Sequence, residues 1–258
     1  MKTYISAAYA GGQGKTTVAQ MIYSALVRHG EEPKLVAADY VDESAHSKIG
    51  KFFPGQVLEL GIGAELGSGK TENDLNAPLR YWDRLGGILL AGGAVVDVGA
   101  NVVPQVIQWA RHRHVARILR ARNAPEIDLF LTTRAEKHAV ENVATMVHEV
   151  LDQDVLPIAN VYVVKNEAGG PFAHIEIGKI IAKAAPGRNV QYLTLPRCSS
   201  EVWPHLERTF TSLDTALGMT ADEMAEKFNL DIWTATAGLA DLQGWAEAVY
   251  AELKKSGI

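Results

Sequence analysis

Ala10-Gly11-Gly12-Gln13-Gly14-Lys15-Thr16-Thr17 lies between a predicted strand, residues 3–9, and a predicted helix. In that helix Val18, Met21, Ile22, Ala25 and Leu26 recur at helical spacing until Gly30 stops it. A glycine-rich turn between a strand and a helix is the setting in which a chain can cradle phosphates. Glycines let the backbone bend and bring its N–H groups close to phosphate oxygens. The helix start adds unpaired donors and a favourable dipole. Lys15 can neutralise the outer phosphates, Thr16 can place its hydroxyl on a magnesium ion, and Thr17 can reach an inner phosphate. The usual G-x-x-x-x-G-K-[ST] spacing is incomplete, because Tyr9 stands at its first position. An ordinary strand-to-helix turn is the plainer alternative.

Outward from this loop, short apolar runs alternate with helical segments. Further strands are expected at 34–38, 93–97, 127–132, 160–164 and 190–195, with 57–60 as a short additional one. Several lack polar alternation, as strands covered on both faces do. Helices are expected at 109–122, 135–151, 177–185, 221–228 and 237–255. The alternation predicts an α/β fold, a mostly parallel sheet flanked by helices. No linker composition interrupts it, so a single domain over 1–258 is expected, with a helical C-terminal extension from about residue 200. Trp203, Trp233 and Trp245 in that extension read as core or interface anchors.

Composition excludes several classes. The chain has 258 residues, 47% apolar and 21% charged, which permits a large core and excludes wholesale disorder. The single cysteine excludes an internal disulfide and a Cys-rich zinc site, and a reducing, cytoplasmic setting is expected. A net charge of −5 excludes a globally basic nucleic-acid binder. The N-terminus does not read as a secretory signal. The longest apolar stretch, residues 85–98, is too short for a membrane span and reads as a buried strand with its approach.

Magnesium and an attacking water need carboxylates. Asp39 and Asp97 end predicted strands, and in a parallel sheet those ends share an edge with the phosphate loop. Asp42 competes with Asp39 for the water. Asn166, after Val163-Val164-Lys165, can donate and accept toward a purine edge. Pro196 and Arg197 end the last strand, where they could complete a base pocket with Cys198 close by. Gly67-Ser68-Gly69-Lys70-Thr71 imitates the phosphate loop, but it precedes a polar run and reads as a surface loop.

Two other clusters carry chemistry-bearing side chains. Arg113, Arg117 and Arg120 share a face if 109–122 is one helix, which would suit DNA phosphates. The alternative is a solvated face paired with acids or covered by the acidic C-terminal tail. The histidines form no metal-binding spacing: His112 and His114 point apart on a helix, and His138 and His148 lack the H-E-x-x-H pattern.

In order, GGQGKTT, VAAD, VVDVGAN, VVKNE and LTLPR resemble the motifs of the ParA/MinD-type deviant-Walker ATPases, over roughly the first 200 residues. VVDVGAN and KNEAGGPF look most like the ParA-like proteins of conjugative and mobilisable plasmids. The resemblance implies a SIMIBI-type P-loop NTPase fold, ATP and Mg2+ as cofactors, and a nucleotide-dependent homodimer. It implies a role in partition, stability or transfer, through non-specific DNA or a DNA-binding partner. It implies phosphate binding by Gly11, Gly12, Gln13, Gly14, Lys15, Thr16 and Thr17. Magnesium would go to Thr16, Asp39 and Asp97, and adenine to Asn166. Where the family carries a second lysine, this chain has Ala10. An arginine from elsewhere could replace it, hydrolysis could be slow, or the protein could be a non-hydrolysing scaffold. A metabolite ligase or kinase on the same fold is the remaining alternative.

Overall fold

The computed structural model describes residues 1–39, 46–60, 77–152 and 154–258. Asp42 and the glycine-rich run at 67–71 fall outside them. Seven strands form one sheet: β1 (Thr3–Ala7), β2 (Lys34–Ala38), β3 (Val57–Glu59), β4 (Ala94–Val98), β5 (Ile127–Arg134), β6 (Ile158–Asn166) and β7 (Val190–Leu195). Their order is β3-β2-β4-β1-β5-β6-β7, and every pairing is parallel. The strand that feeds the glycine loop is therefore central, and strand C-termini from both sides converge on that loop.

Alternation along each strand explains the two-sided core. Ile5 and Ala7 of β1, Val36 of β2, Val96 and Val98 of β4, and Leu129 and Leu131 of β5 pack into one apolar layer. Tyr4, Leu35, Val95 and Phe130, one residue out of step, pack into the other. Period-two geometry with both sets apolar yields the unalternating runs seen in the sequence. Phe130 is fully buried and stacks on Tyr162 with ring centroids 4.7 Å apart.

The first layer is covered by α3 (Ala77–Ala91), α4 (Val103–His112), α5 (Val115–Ala121), α6 (Lys137–Val147) and α7 (Ile177–Ala184). The second is covered by α1 (Lys15–Arg28), α2 (Lys48–Phe52) and the C-terminal helices α8 (Trp203–Thr209), α9 (Leu213–Leu217), α10 (Ala221–Phe228) and α11 (Ile232–Leu253). The C-terminal extension is thus part of the sheet's cover. Thr220 and Glu223 form a capping box at α10, and Asp231 accepts two backbone N–H bonds at the start of α11.

Two expectations need correction. Residues 85–91 belong to α3 rather than to a strand and its approach. Trp82, Leu85 and Leu89 carry the buried face, and the helix tolerates Gly86 and Gly87. A Cβ at Gly86 would stand 3.1 Å from the Trp109 ring, so its absence permits close helix packing. Residues 109–122 are not one helix. Arg113 ends α4, and His114 takes a left-handed φ of 52° before α5 begins. Among the described residues no helix is long and apolar enough to cross a membrane.

Candidate nucleotide site

Three strand ends hold the glycine loop. Ser6 Oγ donates to the Lys15 carbonyl at 2.7 Å, tying β1 to the first residue of α1. Gln13 turns beneath the loop, where its Oε1 accepts the Arg134 backbone N–H at 2.8 Å. Asn166 Nδ2 donates to the Gln13 carbonyl at 2.7 Å, while its Oδ1 accepts from Ala168 N. Two of these three contacts to the loop come from residues over a hundred positions away, and all are made before any ligand binds. Gly12 (φ 73°) and Gly14 (φ 99°) adopt left-handed backbone, and a Cβ at Gly14 would overlap the Asn166 amide.

Asp97 alternates onto the α1 face of β4, between Val96 and Val98, which point the other way. It is buried beneath the loop. Thr16 Oγ1 donates to its Oδ2 at 2.8 Å, and Lys15 Nζ lies 3.4 Å from its Oδ1. Burial pushes the Asp97 carboxyl above the usual carboxylate range. The Lys15 charge and the Thr16 hydroxyl pull it down, and the nearby Asp39 charge pushes it further up. Asp39, at the end of β2, sits against Gly99, where any Cβ would overlap its carboxylate. The glycine of V-D-V-G-A-N is thus the room that Asp39 occupies.

Above the loop is a cleft of about 660 Å³. Gly11, Gly12, Gly14, Lys15, Thr16, Thr17, Asp39, Asn166, Pro196 and Arg197, named from sequence, all line it. Gln13 and Asp97 lie beneath as supports. Cβ atoms built at Gly11 and Gly12 meet nothing within 4 Å, so the backbone is bare toward the cleft. Bare glycine backbone, a lysine and a helix N-terminus suit a polyphosphate. The hard oxygens of Thr16, Asp97 and Asp39 suit Mg2+. Among the described residues there is no separate cluster of His, Cys, Asp and Glu fit to hold a metal.

The sequence reading missed other cleft residues. Arg134 ends β5 two residues beyond the predicted strand end, beside the strand that feeds the loop. Trp203 and Trp245, read as core or interface anchors, form an edge-to-face pair on the wall, and Trp245 Nε1 donates to the Pro196 carbonyl at 2.8 Å. Lys48 and Glu207 join across the cleft at 3.0 Å. Strand order would have signalled Arg134; nothing local in the sequence marks the others.

The basic segment lies on the opposite layer. Arg113 pairs with Asp83 through Nε (3.1 Å) and Nη2 (2.9 Å), and Arg120 pairs with both oxygens of Asp154 at 2.6 and 2.5 Å. These acids, rather than the C-terminal tail, meet the basic segment, and Arg117 on α5 is exposed.

No family model matches the chain, and no curated protein matches it. Among solved structures it is similar to a ParA family ATPase from Chlorobium tepidum TLS, at 14% identity over 98% of this chain and 96% of that one, TM-score 0.46. It is also similar to the Cyanothece McdA–ATP complex (14%; 96% of each chain; TM-score 0.44). The MinD cell division protein of Aquifex aeolicus is a third (14%; 95% and 96%; TM-score 0.43). At such identities the likeness concerns fold alone.

Proposed function

We propose that the chain is an ATP- and magnesium-dependent switch of the ParA/MinD kind, acting as a dimer in partition, stability or transfer of a plasmid or other mobile element. The observation that carries nucleotide binding is the convergence of Lys15, Thr16 and buried Asp97 under a bare glycine loop. The finer biological role is supported by motif order in the sequence.

Lys15 and the loop's backbone N–H groups would hold the outer phosphates, and Thr17 an inner one. The base would lie toward Asn166, Pro196 and Arg197. Asn166 already spends one amide hydrogen on the loop, so its remaining N–H is the one available to a purine. Mg2+, held by Thr16 with Asp97 and Asp39, would offset negative charge on the phosphate oxygens. Asp39, beside Gly99 in the cleft, would accept a proton from an attacking water.

Ala10 favours one second reading, a scaffold that binds ATP without turning it over, because alanine cannot supply a cation to phosphoryl transfer. One set of measurements tests both. ATP should quench the fluorescence of Trp203 and Trp245 only with magnesium, and Lys15→Ala should abolish the effect. Phosphate release with and without DNA then separates switch from scaffold, and light scattering with and without ATP reads the dimer. Equal ATP binding by wild type and Lys15→Ala would refute the proposal.

A further inference from the structure

The geometry points to Arg134 as a second phosphate-binding cation, acting on the nucleotide of its own subunit in place of the absent loop lysine. This rests on the nucleotide reading above and adds to it a residue that the motifs do not contain.

Four observations converge on it. Arg134 lines the same cleft as Lys15, Thr16 and Thr17. Its Nε is buried and has no hydrogen-bond partner. A buried donor on a cation is costly until an acceptor reaches it. No acid among the described residues pairs with it, whereas Arg28, Arg113 and Arg120 each have a carboxylate. Finally, its own backbone N–H is bound to Gln13 in the middle of the loop, so the side chain starts from a fixed point beside the phosphate cradle.

Arginine suits this position chemically. Its planar fork can give two parallel N–H bonds to phosphate oxygens, and its charge does not titrate. Arg197, the other arginine of the cleft, is exposed and follows β7, two strands further from the loop. It is placed for the base end rather than the phosphates. With Ala10 uncharged, Lys15 and Arg134 are the cleft cations nearest the loop along the sheet.

The test compares Arg134→Gln, Arg134→Ala and Arg134→Lys in the full chain, by titration with a fluorescent ATP analogue in magnesium and by its displacement with inorganic tripolyphosphate. Removing a charge-assisted contact should weaken ATP binding about ten- to a hundredfold in the Gln and Ala variants. The Lys variant should recover part of the loss. Tripolyphosphate should compete correspondingly less well with the analogue on the Gln variant than on wild type. Melting without nucleotide should not fall for Arg134→Gln, because the bond to Gln13 uses backbone and a costly unpartnered donor is removed. Should Arg134→Ala fail to fold, the Gln and Lys variants carry the test alone. ATP affinity for Arg134→Gln within about twofold of wild type would overturn the assignment. So would a full loss of affinity in Arg134→Lys together with undiminished tripolyphosphate competition in Arg134→Gln. A wild-type protein that binds ATP, loses it in Lys15→Ala and keeps it in Arg134→Gln refutes only this inference; a wild type that binds none refutes the nucleotide reading as well.

Discussion

Replacing Asp97 by asparagine should leave the ligand-free protein at least as stable as wild type while removing its response to magnesium. Asp97 is buried, and its carboxyl is held above the usual range chiefly by desolvation, despite Lys15 at 3.4 Å and Thr16 at 2.8 Å. Asparagine is nearly isosteric, and its oxygen can still accept the Thr16 hydroxyl. What disappears is the buried charge and its contact with Lys15. The effective penalty for a buried ion is several kcal/mol, while a hydrogen bond to a charged group contributes about 1.5–3 kcal/mol. The Lys15 contact is long, so its contribution lies at the low end. The balance favours the variant by about 1 kcal/mol, or a melting-temperature rise of about 2–4 °C for a chain of this size. The pH dependence has a definite sign. A carboxyl whose folded pKa is raised favours folding most when protonated, so the wild-type penalty is present at neutral pH and fades as pH falls through the raised value. The gap between variant and wild type should therefore close as pH approaches the ordinary aspartate value of 3.8. Circular-dichroism melts in chelator across pH, with ATP titrations with and without magnesium, measure both arms. A variant that melts several degrees lower at neutral pH yet still needs magnesium for ATP would refute this account of the site's charge balance.

Three further outcomes follow from particular contacts. Gly14→Ala forces a left-handed alanine into the Asn166 amide, a backbone cost of about 1–2 kcal/mol before the overlap is counted; ATP titration should show binding lost, and retained affinity would count against the loop geometry. Cys198 lines the cleft and burial pushes its thiol up, so alkylation should be slow at neutral pH, accelerate with rising pH, and be blocked by Mg–ATP, all readable by mass spectrometry. Phe130→Ala opens the layer between β5 and α1 and should cost about 3–5 kcal/mol by denaturant unfolding.

The strands were legible because the buried sheet imposes runs such as Leu35-Val36-Ala37-Ala38 that need no context, and β2 and β7 match their predicted bounds. The loop was legible because its chemistry is contiguous. Residues 85–91 were misread because Gly86 and Gly87 look like breakers until Trp109 is known to pack against the first of them. The single helix expected over the arginine segment failed because nothing between Arg113 and Val115 announces a left-handed His114; its pairing with acids was among the readings, but Asp83 and Asp154 are too distant in sequence to have been named. Arg134 and the tryptophan pair are tertiary facts: each enters the cleft only through the order of the strands.

The same tertiary dependence bears on the missing lysine. Within a strand-to-helix turn, residue 10 and residue 15 look like the whole store of charge available to phosphates. In the folded chain β5 is hydrogen-bonded along β1 and the Arg134 backbone N–H donates to Gln13, so a residue at the end of β5 stands beside the loop. Lys15 is partly neutralised by Asp97, whereas no described acid neutralises Arg134. Positive charge beside the loop is thus shared between Lys15, tied to Asp97, and Arg134, fixed through its backbone to Gln13, with Lys48 and Arg197 also lining the cleft. If Arg134 binds phosphate as proposed, an alanine at position 10 removes a cation from the motif without leaving the cleft short of one.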